Sequence, residues 1–251
     1  MNQTISELFS RKSVRVYENR PIESEKKRII LEAAIQAPTA GNMTLYSIID
    51  VTDEDLKKRL SVTCDNQPFI ADAPLVLIFC ADYSRWYECF CSVSDLSNTV
   101  EDEVRKPGAG DLLLSYTDAV IAAQNAVVAA ESLGIGSCYI GDILENYEIH
   151  KELLNLPKYV IPSAMLVFGY PTKQQKERDK PERFKLEDII SENSYNKNRP
   201  NKQAEMLSEV TGKSGEELTN YIKAFCKRKW NSDFSQEMSR SAHEMIKNWL
   251  E

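Results

Sequence analysis

Residues 111–133 read Asp111-Leu-Leu-Leu-Ser-Tyr-Thr-Asp-Ala-Val-Ile-Ala-Ala-Gln-Asn-Ala-Val-Val-Ala-Ala-Glu-Ser-Leu133, followed by Gly134-Ile-Gly-Ser-Cys-Tyr-Ile-Gly141. The first stretch predicts the longest helix of the chain, opening at Asp111 and stopping at Gly134, because glycine ends helices by taking a left-handed backbone. Ala119, Ala122, Ala123, Ala126, Ala129 and Ala130 leave the helix apolar nearly all round. Such a helix must be covered on most sides, and its small residues allow close helix–helix approach. Ser137–Ile140 reads as a strand directly after it.

Around this pair the remaining elements fall into place. Thr4-x-x-Glu7 has the form of a capping box opening a short helix. Ser24 is placed to cap a helix with Ile29, Ile30, Ala33 and Ala34 on one face, ending before Pro38. Tyr46–Val51 reads as a strand and Asp53–Leu60 as a short charged helix. Leu75-Val-Leu-Ile-Phe-Cys80 is a continuous apolar run of strand length, which predicts a central strand buried on both faces. Ser84–Cys91 has helical character, Asn98–Gly110 reads as a loop, and Ala164–Phe168 is a further strand. Helices and strands mix without a regular βαβ repeat, so the fold class is α+β. Met238, Ala242, Met245, Ile246 and Trp249 form an amphipathic stripe on a last helix.

The 251 residues carry 31 Lys+Arg against 38 Asp+Glu, a net charge of -7, which argues against a general nucleic-acid binder. Residues 1–170 hold 15 basic and 24 acidic side chains, whereas 171–251 hold 16 and 14. A mildly cationic C-terminal third suits an anionic cofactor or a solvated surface. No apolar run approaches a membrane span and the N-terminus has no apolar core, so the expected location is the cytosol. Six cysteines without a C-x-x-C, beside two histidines, supply no metal cage and fit a reducing compartment.

Several motifs fail on inspection. Gly212-Lys213-Ser214 resembles the end of a phosphate-binding loop, but Leu207 stands where that motif needs glycine. Gly134-Ile-Gly136 has Tyr139 in place of the third glycine of a dinucleotide fingerprint and follows a helix. Neither His150 nor His243 has local support for a Cys–His nucleophilic pair. Arg11-Lys-Ser-Val-Arg15 stands out instead. In an extended segment Arg11, Ser13 and Arg15 share one side, and two guanidiniums with a hydroxyl suit a phosphate monoester. A surface basic pentapeptide is the alternative.

Four further segments join this one: Ala37-Pro-Thr-Ala-Gly-Asn42, Gln67-Pro-Phe-Ile-Ala-Asp-Ala-Pro74, Asp118–Asn125 running through to Gly134–Gly141, and Gly169-Tyr-Pro-Thr172 with Arg178-Asp-Lys180 and Arg183-Phe184. Their order and wording resemble the nitroreductase family of FMN-dependent NAD(P)H oxidoreductases, in its oxygen-insensitive nitroreductase and flavin reductase branch. The resemblance runs from Arg11 to the C-terminus and is poorest over residues 195–226. It implies a mainly antiparallel sheet flanked by helices in an intertwined homodimer. Residues 1–170 would be the FMN-binding core, and 171–251 an extension of the same domain wrapping the partner subunit.

Residue by residue, Arg11, Lys12, Ser13 and Arg15 resemble the segment that holds the FMN phosphate and ribityl chain, with Arg178 and Lys180 as further basic positions. Gln67 resembles a side chain contacting the flavin, or caps the turn before Pro68. Thr39 and Asn42 resemble the loop that the second subunit presents to the ring, with a plain turn role as the alternative for Asn42. Tyr139, Ile140 and Gly141 resemble the strand end passing the isoalloxazine. Asp142 stands where relatives often carry a small residue, and Lys12 where Arg or His is commoner. Lys227, Arg228 and Lys229 resemble a basic loop that reads the NADPH 2′-phosphate, with a solvated patch as the alternative. No catalytic side chain and no metal is implied, because the chemistry belongs to flavin N5. Acceptors in the family are nitroaromatics, quinones and free flavins. A flavin reductase acting on free FMN and a non-catalytic flavin-binding protein are the competing readings.

Overall fold

A computed structural model describes residues 1–97, 104–198 and 202–251. Residues 98–103 of the expected loop Asn98–Gly110 lie outside the described residues. Two compact units emerge, one of residues 1–178 with 237–251 and one of residues 179–236.

The first unit is built on a four-stranded antiparallel sheet: β1 (Tyr46–Asp50), β2 (Leu75–Asp82), β3 (Gly136–Ile140) and β4 (Val160–Gly169), in the order β1-β2-β4-β3. Leu77 faces Leu166 across the β2–β4 pair, and Ser137 faces Phe168 across β3–β4. Every residue of β2 and β4 is buried, so the apolar run at 75–80 is the central strand that its composition demands. Its side chains alternate between two cores. Leu75, Leu77 and Phe79 join Leu166 and Phe168 on one face, while Val76, Ile78 and Cys80 join Met165 and Val167 on the other. Each fully buried aliphatic or aromatic side chain contributes on the order of 1.5–3 kcal/mol, so this layer dominates the stability of the unit.

Helix α1 (Gln3–Ser10) starts from Asn2, whose side chain accepts from the Ile5 amide, so Asn2 and not Thr4 is its cap. Helix α2 (Ser24–Ile35) begins one residue early for the sequence expectation: Glu23 is the capping position, and Ser24 is already helical. Ile30 and Ala34 are buried, but Ile29 is exposed. Helix α3 (Glu54–Thr63) is capped by the Asp53 carboxylate at 2.6 Å from the Leu56 amide. Helix α4 (Ser84–Ser97) follows β2.

Helix α5 (Ala109–Ser132) packs on α2 and across β2 and β4. Asp111 lies inside its first turn and accepts from the Gly108 amide at 2.8 Å, stabilising the helix start. By length and composition α5 is apolar enough to cross a membrane, which its interrupted runs had not suggested. Ala119, Ala122, Ala123, Ala126, Val127 and Ala130 are spent in the core, as in the central helix of a globular body.

Helices α6 (Tyr147–Leu153) and α7 (Lys173–Glu177) flank β4 in sequence. The second unit contains α8 (Leu186–Ile189), α9 (Gln203–Thr211) and α10 (Gly215–Lys229). Gly212 ends α9 with a left-handed φ of 68°, which accounts for the glycine of Gly212-Lys213-Ser214 without a phosphate. Helix α11 (Asp233–Leu250) belongs to the first unit from Glu237 onward. There Met245 and Trp249 are buried against Tyr159, Ile161 and Leu112, and the Trp249 indole donates to the Gly108 carbonyl at 3.2 Å. Ser241 replaces Ile246 in the buried stripe, since Ile246 is exposed.

Candidate active site

The basic segment 11–15 runs beside β3. Ser13 bridges Ser137 in parallel, and the Val14 amide donates to the Ser137 carbonyl at 2.9 Å. The approach is close because β3 starts with glycine. A Cβ at Gly136 would stand 2.4 Å from Val14 Cγ2.

Two of the four basic side chains in this region are occupied by backbone. Lys12 donates its ammonium to the carbonyls of Lys176, at 2.8 Å, and of Arg178. Arg178 donates to the Ser13 carbonyl at 2.8 Å. Together they staple the segment to the end of α7, helped by the Gln175 side-chain oxygen, which accepts from the Arg15 amide at 3.4 Å.

The other two cations are not held by backbone carbonyls. Arg15 lies with its guanidinium 5.8 Å from the Phe69 ring and, among the described residues, forms no ion pair. Arg11 sits 3.9 Å from the Glu131 carboxylate, but its buried Nε and Glu131 Oε1 both lack a hydrogen-bond partner. A buried, unsatisfied guanidinium N–H costs free energy unless an acceptor arrives. Burial pushes the Glu131 carboxyl up to about 7 against the pull of Arg11. The two guanidiniums line separate concavities. One of about 330 Å³ is bordered by Arg11, Glu131, Gly136 and Gln175, and one of about 740 Å³ by Arg15, Arg20, Lys57 and Asp72.

Beyond Ser137 the strand leads to Tyr139, Ile140 and Gly141. The half-buried Tyr139 hydroxyl donates to Gln124 at 3.3 Å, and its acidity is pushed down by burial, to a pKa of about 12. Ile140 is core. A Cβ at Gly141 would meet nothing within 4 Å, so no packing within the chain calls for glycine there, and the space before it is open.

Gln67 reaches this strand end. Its amide nitrogen donates to the Cys64 carbonyl at 2.9 Å and to Asp142 Oδ2 at 2.7 Å. Behind Asp142 the buried Glu145 carboxyl is pushed up to about 8, first by burial and then by a hydrogen bond to Asp142.

Thr39 and Asn42 sit elsewhere on the same chain. The Thr39 hydroxyl and the amides of Ala40, at 3.0 Å, and Leu45, at 3.3 Å, all donate to the buried Asp118 carboxylate on α5. Asn42 and Thr44 hold left-handed φ values of 57° and 52° on this anchored loop. Asp118 and Glu131 are about 20 Å apart along α5 at 1.5 Å per residue. One chain therefore keeps Thr39 and Asn42 away from Arg11.

A Cys–His pair does exist, since Cys64 Sγ lies 3.9 Å from His150 Nε2. Burial pushes the thiol up and the imidazole down, the reverse of what a thiolate–imidazolium couple needs. Among the described residues no His/Cys/Asp/Glu group has the arrangement of a metal site.

A model of the nitroreductase family matches residues 8–170, the stretch that carries this geometry except for Gln175, Lys176 and Arg178. The chain belongs to the nitroreductase family. It is 31% identical to the FMN reductase [NAD(P)H] of Bacillus subtilis over 100% of this chain and 97% of that protein. It is 33% identical to the oxygen-insensitive NADPH nitroreductase of Salmonella typhimurium over 78% and 75% of the two chains. The solved structure of the hypothetical oxidoreductase YcnD from Bacillus subtilis superposes with a TM-score of 0.77 at 30% identity, covering 98% of each chain.

Within this nitroreductase-family chain, Asp118 is the site-building residue to which sequence reasoning assigned no role. Its signal was present: a carboxylate on an alanine-rich helix that must be buried needs several donors. Lys180, Lys227, Arg228 and Lys229 belong to the second unit. The last three are exposed at the end of α10, with Arg228 over Phe225 and Lys229 over Phe234.

Proposed function

We propose that this nitroreductase-family chain is an FMN-dependent NAD(P)H oxidoreductase that works as a homodimer. The observation that carries the reading is the arrangement along β3. The partnerless Arg11 N–H lies beside the segment at Ser137, and an open edge lies at Gly141, about 13 Å further at 3.3 Å per residue. That spacing suits a cofactor with its phosphate at one end and its ring at the other.

Arg15, exposed and without an ion pair among the described residues, is the cation most open to a phosphate dianion, and Arg11, held only by its 3.9 Å ion pair to Glu131, and Ser13 are the further members of the segment. Lys12 and Arg178 act one step back, holding the segment in register through the carbonyls they occupy. Lys180 is a further basic contact. Gln67 meets the ring edge, and Tyr139, Ile140 and Gly141 leave one side of it accessible. Thr39 and Asn42 reach the ring from the second copy, which gives the 20 Å separation along α5 a purpose. Bound FMN supplies hydride transfer from a nicotinamide to a second acceptor in the same space. The chain's part is to bind, orient and leave that space open for a nitroaromatic or a quinone.

A second reading has its own support: two relatives, 31% and 32% identical, are FMN reductases, which favours free FMN as the acceptor. The absorbance of the purified protein tests the first claim. A bound yellow chromophore bleached by NADPH and restored by a quinone is expected. A colourless protein that takes up no FMN would overturn it. Steady-state turnover with nitrofurazone against free FMN separates the two acceptors. Sedimentation of the FMN-loaded protein at micromolar concentration should give a dimer, and a monomer that keeps FMN tightly bound would refute the shared site.

A further inference from the structure

The Gln67 side chain has a feature that its contacts impose. Both partners of its Nε2, the Cys64 carbonyl and the Asp142 carboxylate, are acceptors only. A flipped amide would set oxygen against oxygen twice, so the orientation is fixed with both N–H groups turned inward. The one group left for a ligand is Oε1, an acceptor. Gln67 is itself half-exposed, so that oxygen can be reached.

We propose that Asp142 is a positioning residue that locks the Gln67 amide with its oxygen presented to the ligand. The proposal rests on the flavin reading for the identity of the ligand, but the lock itself is a property of the empty chain. Asp142 is the decisive partner of the two, because a carboxylate holds an N–H more strongly than a neutral carbonyl does. It is buttressed in turn. Glu145 is buried, and its carboxyl is pushed up to about 8, first by burial and then by Asp142, so it keeps its proton near neutral pH. Asp65 and Glu237 are the other charged groups that raise Glu145, and the amide of Asn146 beside it donates to Glu237 at 3.1 Å. The result is a relay of fixed donors and acceptors, Glu145 to Asp142 to Gln67, ending in one acceptor.

The consequence is selective. An acceptor-only contact rewards a ligand edge that donates, and the oxidised isoalloxazine ring has a single N–H, at N3. Asp142 therefore sets which edge of the ring the chain recognises, although it need not touch the ring.

Two measurements test this, and they fail separately. In the wild-type apoprotein, the two Gln67 side-chain N–H signals in a ¹⁵N–¹H spectrum should be slowed in solvent exchange at least tenfold relative to exposed glutamines. Asp142→Ala should release them, and Asp142→Asn, whose carbonyl still accepts, should restore the protection. The second measurement is the affinity of the apoprotein for FMN against N3-methyl-FMN. Wild type should prefer FMN by about tenfold or more, the range of one hydrogen bond lost with its partner left unpaired. Asp142→Ala should shrink that preference and Asp142→Asn should keep most of it. Fast exchange of both Gln67 protons in the wild type, or an unchanged preference in Asp142→Ala, would overturn the proposal. If the amide is protected as described but no flavin binds, the functional reading fails and the lock stands. Should Asp142→Ala not fold, the wild-type exchange rates and the Asp142→Asn preference still decide.

Discussion

Thr39 donates its hydroxyl to the carboxylate of Asp118 from 79 positions away in sequence, and the same carboxylate takes the amides of Ala40 and Leu45. Asp118 thus shapes the whole turn 39–45 from the middle of a helix. Replacing it with alanine would leave the buried Leu45 amide and the half-buried Thr39 hydroxyl and Ala40 amide without this partner. Each orphan costs about 1–3 kcal/mol, so a loss of several kcal/mol in folding stability is expected from urea denaturation. Asp118→Asn should lose less, because its carbonyl still accepts. In either variant the affinity for FMN should fall, and an unchanged affinity would remove the turn from the site.

Arg15 offers a cleaner separation of binding from folding, since it is exposed and forms no ion pair among the described residues. Arg15→Ala should leave circular dichroism unchanged. Its affinity for FMN should drop tenfold to a hundredfold, matching a charge-assisted contact of roughly 1.5–3 kcal/mol. Riboflavin, which lacks the phosphate, should bind wild type and variant alike. Equal losses for both ligands would move Arg15 from the phosphate to the ring or to the scaffold.

Glu145 predicts a pH dependence with a definite sign. Its carboxyl is raised from an ordinary 4.5 to about 8 in the folded protein, by burial and by Asp142. Between those values the folded chain holds a proton that the unfolded chain has released, so stability falls as pH rises through this window. Glu145→Gln imitates the protonated form and should flatten that slope. Urea midpoints at about pH 5 and about pH 8.5 should differ less in the variant, which should be the more stable protein at the higher value. Matching slopes would mean that Glu145 does not carry the proton. Glu131, raised to about 7, contributes a slope of the same sign in both proteins.

The exposed run Lys227-Arg228-Lys229 is tested as a reader of the NADPH 2′-phosphate by exchanging the electron donor. Replacing all three with alanine should raise KM for NADPH and leave NADH nearly untouched, because only NADPH carries a 2′-phosphate. The preference for NADPH should also shrink as ionic strength rises, as expected for exposed charges. Equal losses with both donors would assign the run to ordinary surface.

The layers of this fold were legible wherever the chain is buried on all sides. The run Leu75–Cys80 and the alanines of α5 have no alternative to the interior, and both took the element type and place that their composition requires. The helix starts were harder. Asn2 competes with Thr4, and Glu23 with Ser24, over differences of one or two residues and one hydrogen bond. At the site, the basic residue types could be read but not their partners. Lys12 and Arg178 bind backbone carbonyls more than a hundred positions distant, and every residue has a carbonyl, so no sequence letter marks the acceptor. Asp118 was hidden for the same reason, since two of its three donors are main-chain amides.

The chain leaves the first unit after Arg178 and re-enters it at Glu237, so residues 179–236 form an excursion with both ends fixed in one body. Lengthening such an excursion is cheap, about 0.6 kcal/mol for each doubling of a closed loop. The buried strands β2 and β4 and the core alanines of α5 all lie in the body, outside the excursion. A change of length within 179–236, which holds the Lys227–Lys229 cluster, therefore costs little, and the strands and the 11–15 segment lie outside it. If that cluster reads the 2′-phosphate of NADPH, donor preference is the trait that a change in the excursion reaches without touching the strands of the body.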